Sequence, residues 1–301
     1  MMLKGIAGSV LRLIGLNPYQ FLDKRYTPLD RTYIRRTKNI RLIPLENSRR
    51  GGRHSYAEWA YEIGIFQTLA FLLLEFKEDN KILDVGCGTG LMGIACEPFL
   101  GEKGHYVGID VMERNIAFCR SHYPAPRFEF IHFDINNPAY APLQESKKVQ
   151  WPLTGGNFDL VTALSVWTHL SEDDALFYMK EVNRVLKPGG KAIITFFVLD
   201  ELYRRSLRTR SKEAGRYHGL PQERWIFDQS AYGSDAWFCP KWARVPENAI
   251  GITQAGIDRL VSGAELQRVQ HYQGNWKEVP GVFFQDVLVL RKPDPSGRAA
   301  E

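Results

Sequence analysis

Two hydrophobic periods alternate along the chain. Short runs of β-branched and aromatic residues are separated by longer segments in which apolar positions recur every three to four residues. The short runs predict strands at 82–85, 105–109, 127–133, 158–164, 191–198, 267–272 and 282–290, and the longer segments predict helices at 55–76, 91–99, 113–122, 173–186 and 253–261. Strands that alternate with helices indicate a parallel α/β sheet, and the last two predicted strands form a terminal pair after it.

The segment 81–90 joins the first predicted strand to the start of a helix. Asp84 sits near the carboxyl end of the strand, and Gly86, Gly88 and Gly90 follow. Glycine adopts backbone angles that other residues avoid and lets a ligand approach the main chain. Gly-rich loops also occur as plain structural turns. The spacing differs from the dinucleotide fingerprint Gly-x-Gly-x-x-Gly, because Leu91 stands where its last glycine would be.

The pattern acid-x-Gly-x-Gly-x-Gly at 84–90 resembles the first motif of the class I S-adenosylmethionine-dependent methyltransferases. The Phe-Asp-Leu-Val strand at 158–161 and the Leu-Lys-Pro-Gly-Gly turn at 186–190 are similar to the same family. Residues 274–276 and 284–286 resemble the ending of a bacterial group with small-molecule or sugar acceptors. The resemblance covers about 78–292. It implies a Rossmann-like seven-stranded sheet with a C-terminal antiparallel hairpin, helices on both faces, a cap insertion after strand 5, and S-adenosyl-L-methionine as cofactor.

The resemblance also implies which residues hold the cofactor. Asp110 ends the second strand, where its two oxygens can accept from the ribose hydroxyls. Asp134 is expected to accept from the adenine amino group while Ile135 packs on the ring; an ordinary helix cap is the alternative. Asp84 is expected to face the methionine amino group, directly or through water. The full expected set is Asp84, Gly86, Cys87, Gly88, Gly90, Asp110, Val111, Asp134, Ile135 and Ser165.

The expected catalytic residue is His169. It lies just past the fourth strand, at the mouth of the expected cofactor crevice, and an imidazole can accept a proton near neutral pH. A histidine that bonds a helix end is the alternative interpretation. Ser165 and Trp167 are expected to line the methyl-donor pocket. The sequence shows no cluster with metal-ligand spacing, so no metal is expected.

Residues 200–247 do not match the common core. They hold a basic run at 204–212 and then an aromatic-rich stretch between Tyr217 and Trp242. An insertion after the fifth strand lies at the carboxyl edge of the sheet, above the cofactor, where acceptor selection would be built. Basic residues with interleaved aromatics could also hold single-stranded nucleic acid. A cap held by its own aromatic cluster is the favoured interpretation, so nucleic acid is not an expected partner.

Positive charge is concentrated in the first 53 residues, whose net charge is +9 against +5 for the whole chain. Apolar positions at helical spacing in residues 1–16 predict an amphipathic helix rather than a signal peptide. This leader could contact an anionic membrane, an acidic partner or nucleic acid, and a solvated arm is the alternative. The expected domains are a basic extension at 1–53, a methyltransferase domain at 54–292 with its cap at 200–247, and a tail at 293–301.

The remaining composition limits the location and function. Four scattered cysteines fit a reducing compartment, and no apolar run is long enough to span a bilayer, so a cytoplasmic protein with peripheral membrane contact is expected. The expected function is S-adenosylmethionine-dependent O-methylation of a small-molecule or sugar-containing acceptor. The alternatives are a methyltransferase for lipid or nucleic acid, a catalytically silent cofactor-binding protein, and a nicotinamide-dependent oxidoreductase.

Overall fold

A computed structural model of the chain describes residues 37–50, 54–135, 137–140 and 148–295, together with Arg25, Pro28 and Ile34. The amphipathic helix predicted at residues 1–16, most of the basic extension and the end of the tail lie outside these residues. None of the described helices combines the length and the apolar character needed to cross a bilayer.

Ten strands among the described residues form one mixed sheet. They are β1 (Lys81–Val85), β2 (His105–Asp110), β3 (Phe128–His132), β4 (Phe158–Ala163), β5 (Leu186–Leu199), β6 (Phe227–Ser230), β7 (Trp237–Pro240), β8 (Gly251–Thr253), β9 (Gln267–Tyr272) and β10 (Asp286–Arg291). Their order is β3-β2-β1-β4-β5-β8-β7-β6, and β10 pairs with both β5 and β9. Strands β1 to β5 run parallel, whereas β10 is antiparallel to both of its neighbours. The predicted C-terminal antiparallel pair is therefore present.

The predicted count of seven strands is wrong, because the insertion after β5 and the residues directly after it add three strands, β6 to β8. The last three residues of β5, Phe197–Leu199, pair in parallel with β8, and β7 and β6 follow in antiparallel order. Strand β5 is 14 residues long, so its amino-terminal part joins the main sheet and its carboxyl end carries the insertion. The added strands are only three or four residues long, which leaves too few positions for a period to be visible.

Six α-helices cover the sheet in the described part of the chain. They are α1 (Tyr56–Leu73), α2 (Leu91–Cys96), α3 (Glu113–His122), α4 (Glu172–Val185), α5 (Glu201–Ser206) and α6 (Gln254–Gly263). Ser55 and Glu58 form the capping box of α1. Neighbouring residues of β4 face opposite sides, so Leu160 packs in the core that contains Ile63 of α1 and Val161 in the core that contains Val182 of α4. The prediction of helices on both faces is confirmed.

Candidate active site

A cavity of about 740 Å³ lies at the carboxyl ends of the parallel strands. Its walls come from the loops after β1, β2, β3 and β4 and from the insertion. Seven of the predicted site residues line it: Gly86, Gly88, Asp110, Val111, Ile135, Ser165 and His169. The other four, Asp84, Cys87, Gly90 and Asp134, are not part of its lining.

The glycine loop is fixed by the end of β2. The Gly86 N–H donates to the carbonyl oxygen of Ile109 at 2.8 Å, and the Gly88 N–H donates to Asp110 Oδ2 at 2.8 Å. Gly86 has a φ of +67°, and a Cβ at this position would lie 2.6 Å from Cγ2 of Val166. Gly86 is therefore required both by its backbone angle and by its close approach to the segment after β4.

Asp110 keeps acceptor capacity that faces the cavity. Its Oδ1 accepts from the Met112 N–H at 2.7 Å and from Asn115 Nδ2 at 3.3 Å, whereas its Oδ2 accepts only from Gly88. Burial raises the pKa of Asp110, and these three donors act in the opposite direction. Since each carboxylate oxygen can accept about two hydrogen bonds, Oδ2 can still accept from a ligand hydroxyl.

Asp84 lies beneath the loop and is only 2% exposed. The Tyr106 hydroxyl donates to its Oδ2 at 2.6 Å, and the Thr162 hydroxyl donates to its Oδ1 at 2.7 Å. Burial raises the pKa of Asp84 to about 7, against the smaller opposing effect of these two hydroxyls. Each oxygen of Asp84 thus accepts one protein hydroxyl, and the carboxyl group joins β1 to its neighbours β2 and β4. The expected contact of Asp84 with the methionine amino group, directly or through water, stays a prediction.

Three more predicted residues surround the cavity without lining it. Cys87 is buried, and burial raises the pKa of its thiol. Gly90 precedes α2 with a φ of +92° and lies against the ring of Tyr123. Asp134 is exposed, although its neighbour Ile135 lines the cavity. The contact of Asp134 with adenine stays a prediction.

His169 lies in a short 3₁₀ turn, Trp167–His169, after β4. Its Nδ1 is 2.6 Å from the carbonyl oxygen of Glu247, so this nitrogen carries the proton and donates it. Nε2 is then unprotonated, and the Tyr140 hydroxyl at 3.2 Å donates to it. Burial lowers the pKa of His169, against the opposing effect of the Glu247 carbonyl. The imidazole is thus held neutral, with a nitrogen that can accept a proton.

Ser165 and Trp167 line the same wall of the cavity. Ser165 has a φ of +58°, a left-handed conformation that a non-glycine residue adopts at a cost. Its N–H donates to the Thr195 hydroxyl at 2.7 Å, and its own hydroxyl donates to Gln285 Oε1 at 2.9 Å. These bonds to β5 and to the residue before β10 hold the strained turn in the cavity wall, and the expected place of Ser165 and Trp167 in a methyl-donor pocket stays a prediction.

The insertion contributes residues to the cavity lining. The sequence predicted that this region lies above the cofactor, but it did not indicate which of its residues line the cavity. They are Arg224, Trp225, Trp242, Glu247 and Asn248. The aromatic-rich composition of the insertion pointed to the two tryptophans. The sequence could not predict the role of Glu247. This residue orients His169 through its main-chain carbonyl, which every residue type has. The role of Tyr140 could not be predicted either, since its contact with His169 depends on how a polar loop folds back.

A second polar cluster, which sequence spacing did not reveal, joins Asp200, His271 and Asp286. Lys277 Nζ lies 2.7 Å from Asp200 Oδ2 and 2.7 Å from Asp286 Oδ1, and 2.8 Å from Gln273 Oε1. These three groups satisfy the three donors of the ammonium. Because Lys277 forms ion pairs with both carboxylates, the cluster is a buried ion-pair network rather than a free set of metal ligands.

The fold and the cavity define a class of protein. A glycine loop after β1, a carboxylate with a free acceptor position after β2, and the apolar residues Val111 and Ile135 suit a ligand with an amino-acid part, a ribose and a flat base. Residues 82–190 match the family described as a methyltransferase domain. The chain therefore carries a class I S-adenosylmethionine-dependent methyltransferase domain, whose cofactor is S-adenosyl-L-methionine, as the sequence motifs predicted.

Known proteins resemble this chain in part. A demethylmenaquinone methyltransferase of Bacillus cereus is 29% identical over 121 residues, which are 40% of this chain and 46% of that protein. One of Bacillus anthracis matches to the same extent. The chain thus spans less than half the length of these curated relatives. A crystal structure of an S-adenosylmethionine-dependent methyltransferase from Mesorhizobium loti has a TM-score of 0.50 at 14% identity, over 77% of this chain and all of that one, and shares its fold.

Proposed function

We propose that this chain transfers a methyl group from S-adenosyl-L-methionine to a hydroxyl of a small-molecule or sugar-containing acceptor, with His169 as the general base. One observation carries the proposal. A neutral imidazole, with Nδ1 held by the Glu247 carbonyl, lines the same cavity as the glycine loop and Asp110. A base beside a methyl-donor site is what an oxygen nucleophile requires.

The residues of the cavity have separate tasks in this reaction. Bound S-adenosylmethionine supplies an electrophilic methyl group on a cationic sulfur. The glycine loop and Asp110 bind and orient the cofactor, so that acceptor and methyl group meet in line. His169 Nε2 accepts the proton of the acceptor hydroxyl as its oxygen attacks, and the Glu247 carbonyl stabilises the Nδ1–H of the resulting imidazolium. In the free protein the Tyr140 hydroxyl takes the place of the acceptor hydroxyl at Nε2.

A second candidate function is methylation of a ring carbon beside a hydroxyl. The relatives are named demethylmenaquinone methyltransferases, and a hydroxylated ring acceptor of that kind can take a methyl group on carbon as well as on oxygen. Removal of a proton from an aromatic hydroxyl by the same base raises the electron density on the neighbouring ring carbon. Trp225 and Trp242 in the cavity wall suit a flat ring. Identification of the product by NMR separates a methyl on oxygen from one on carbon.

A lipid acceptor, and contact of the basic extension with an anionic membrane, stay predictions. The observation that favours them is the charge of residues 1–53, most of which lie outside the described part of the chain. Sedimentation of the full chain with anionic and neutral vesicles tests this contact. Binding that requires anionic lipid and falls steeply with salt supports it, and equal binding to both vesicles contradicts it.

The test of the main proposal is methyl transfer by the full chain from labelled S-adenosylmethionine to a panel of hydroxylated aromatic and sugar compounds. We expect His169→Gln to lower kcat by about 10²- to 10⁴-fold and to leave the affinity for S-adenosylhomocysteine unchanged. His105→Gln, which does not alter the cavity lining, is the matched control. Because burial lowers the pKa of His169, the wild-type rate should be flat near neutral pH and fall only below the ordinary histidine pKa of about 6.5.

Two outcomes would contradict the proposal. Undiminished transfer by His169→Gln would exclude this residue as the base. Cofactor binding without transfer to any acceptor would instead favour the catalytically silent protein.

A further inference from the structure

Arg224 is a cation of the cavity wall with no acidic partner in the described part of the chain. It lies in the 3₁₀ turn Gln222–Trp225 of the insertion, its side chain is exposed, and it lines the cavity. No described carboxylate forms an ion pair with it. The three carboxylates of the cavity lining have other partners: Asp110 accepts from three donors, Asp174 accepts from the Ser171 hydroxyl, and Glu247 interacts with the hydroxyl of Tyr232.

The guanidinium of Arg224 is held in a defined orientation. Its Cζ lies 4.1 Å from the centre of the Trp242 ring and 5.8 Å from that of Trp225. The Trp242 indole N–H in turn donates to the Arg224 carbonyl oxygen at 2.6 Å, so the two residues fix each other. A guanidinium that packs on an aromatic face keeps its N–H groups free at the edge, where they can bind a carboxylate or phosphate through two hydrogen bonds.

A second arginine fixes the main chain of the turn. Arg210 Nη1 donates to the carbonyl oxygens of Gln222 and Trp225, both at 3.0 Å, and its Nη2 donates to the carbonyl oxygen of Trp276 at 3.1 Å. Burial lowers the pKa of Arg210, whose donors are used inside the protein. Arg210 therefore has a structural role, because its donors bind main-chain carbonyl oxygens. Arg224 belongs to the turn that Arg210 holds, and it is the arginine of this pair that lines the cavity.

Trp225 adds an aromatic surface beside Arg224. Its side chain is 8% exposed, lines the cavity, and packs on Phe197 with ring centres 5.1 Å apart. Its Nε1 is buried, so the ring rather than the indole N–H is what Trp225 offers to a ligand in the cavity.

We propose that the methyl acceptor is an oxyanion, a carboxylate or a phosphate ester, attached to a flat apolar group. Arg224 binds the oxyanion, and Trp242 and Trp225 pack on the flat group. This inference rests on the proposed methyltransferase function and names the substrate class of the same cavity. Arg224 is thus a specificity-determining residue for the acceptor.

The experiment measures binding of three matched probes to the full chain saturated with S-adenosylhomocysteine. The probes are 6-hydroxy-2-naphthoate, its phosphate-ester analogue, and the neutral 6-hydroxy-2-naphthamide. Calorimetry measures the binding of each probe. We expect at least one anion to bind about tenfold more tightly than the amide. Arg224→Gln should remove this preference. Arg216→Gln should retain it, because Arg216 stacks on Tyr217 in the same insertion but does not line the cavity.

Each outcome bears on the proposal. The anion that binds more tightly distinguishes a carboxylate from a phosphate ester. The proposal is overturned by equal binding of amide and anions, by a preference that survives Arg224→Gln, or by no binding of any probe to the wild type. A loss of S-adenosylhomocysteine affinity in Arg224→Gln would assign the arginine to the cofactor instead. Anion preference with no methyl transfer would count against the proposed function alone.

Discussion

Burial acts in opposite directions on the two key titratable residues near the glycine loop. It raises the pKa of Asp84 to about 7 and lowers the pKa of His169. Both effects have one cause, since a group removed from water favours its uncharged form. Asp84 is thereby suited to a structural role between strands, and His169 to accepting a proton.

The first prediction concerns Asp84→Asn. The folded protein holds the Asp84 proton up to pH of about 7, whereas the unfolded chain loses it near the ordinary value of about 3.9. The wild type should therefore lose stability as pH rises between these values, by up to about 1.4 kcal/mol per pH unit, and the variant should lack this loss. Urea unfolding at several pH values measures it. A difference in unfolding free energy between the two proteins that stays constant with pH would contradict the assignment.

At the scale of elements, the glycine loop and the segment after β4 constrain each other. We expect Gly86→Ala to destabilise the protein more than Gly88→Ala does. Both residues have positive φ, but a Cβ on Gly86 would meet Val166 at 2.6 Å, whereas one on Gly88 would meet no atom within 4 Å. Backbone strain alone costs about 1 kcal/mol. Thermal unfolding without ligand measures both, and Val166→Ala should restore part of the loss in Gly86→Ala. Equal losses without such recovery would argue against the contact.

The insertion is attached to β10 by the buried network around Lys277. The side chains of Lys277 and Asp286 are both fully buried, and hydrogen bonds lower the pKa of Asp286 against the effect of burial. We expect Lys277→Met to destabilise the protein by about 3–5 kcal/mol, since it leaves a buried carboxylate uncompensated. Lys241→Met, which breaks an exposed pair with Asp228, should cost no more than about 1 kcal/mol. Similar losses in the two variants, measured by chemical unfolding, would contradict this role.

Elements with a local signal could be predicted from the sequence, and long-range contacts could not. Helix α3 has the predicted bounds, 113–122, and α1 begins within one residue of its predicted start at 55. Strands β6 to β8 were missed because their pairing depends on the carboxyl end of β5. The position of His169 was predictable, but its orientation depends on Glu247, 78 residues away. The two hydroxyl partners of Asp84 gave no local signal for the same reason, because they lie on neighbouring strands.

At the scale of the whole molecule, the walls of the cavity come from different parts of the chain. The glycine loop and Asp110 lie inside residues 82–190, the part that matches the methyltransferase family. Arg224, Trp242 and Glu247 lie beyond it, in the insertion. In the proposed function, the shared part binds the cofactor, and the acceptor is selected by residues that the family match does not cover.

The most direct test of the central claim is calorimetric binding of S-adenosylmethionine to the full chain, to Asp110→Ala and to Asp79→Ala. Asp110 lines the cavity with a free acceptor position, whereas Asp79 is exposed in the turn before β1. We expect the wild type and Asp79→Ala to bind equally and Asp110→Ala to bind at least about tenfold more weakly, because it loses hydrogen bonds to the ribose. Absence of binding to the wild type, or equal binding by Asp110→Ala, would contradict the account.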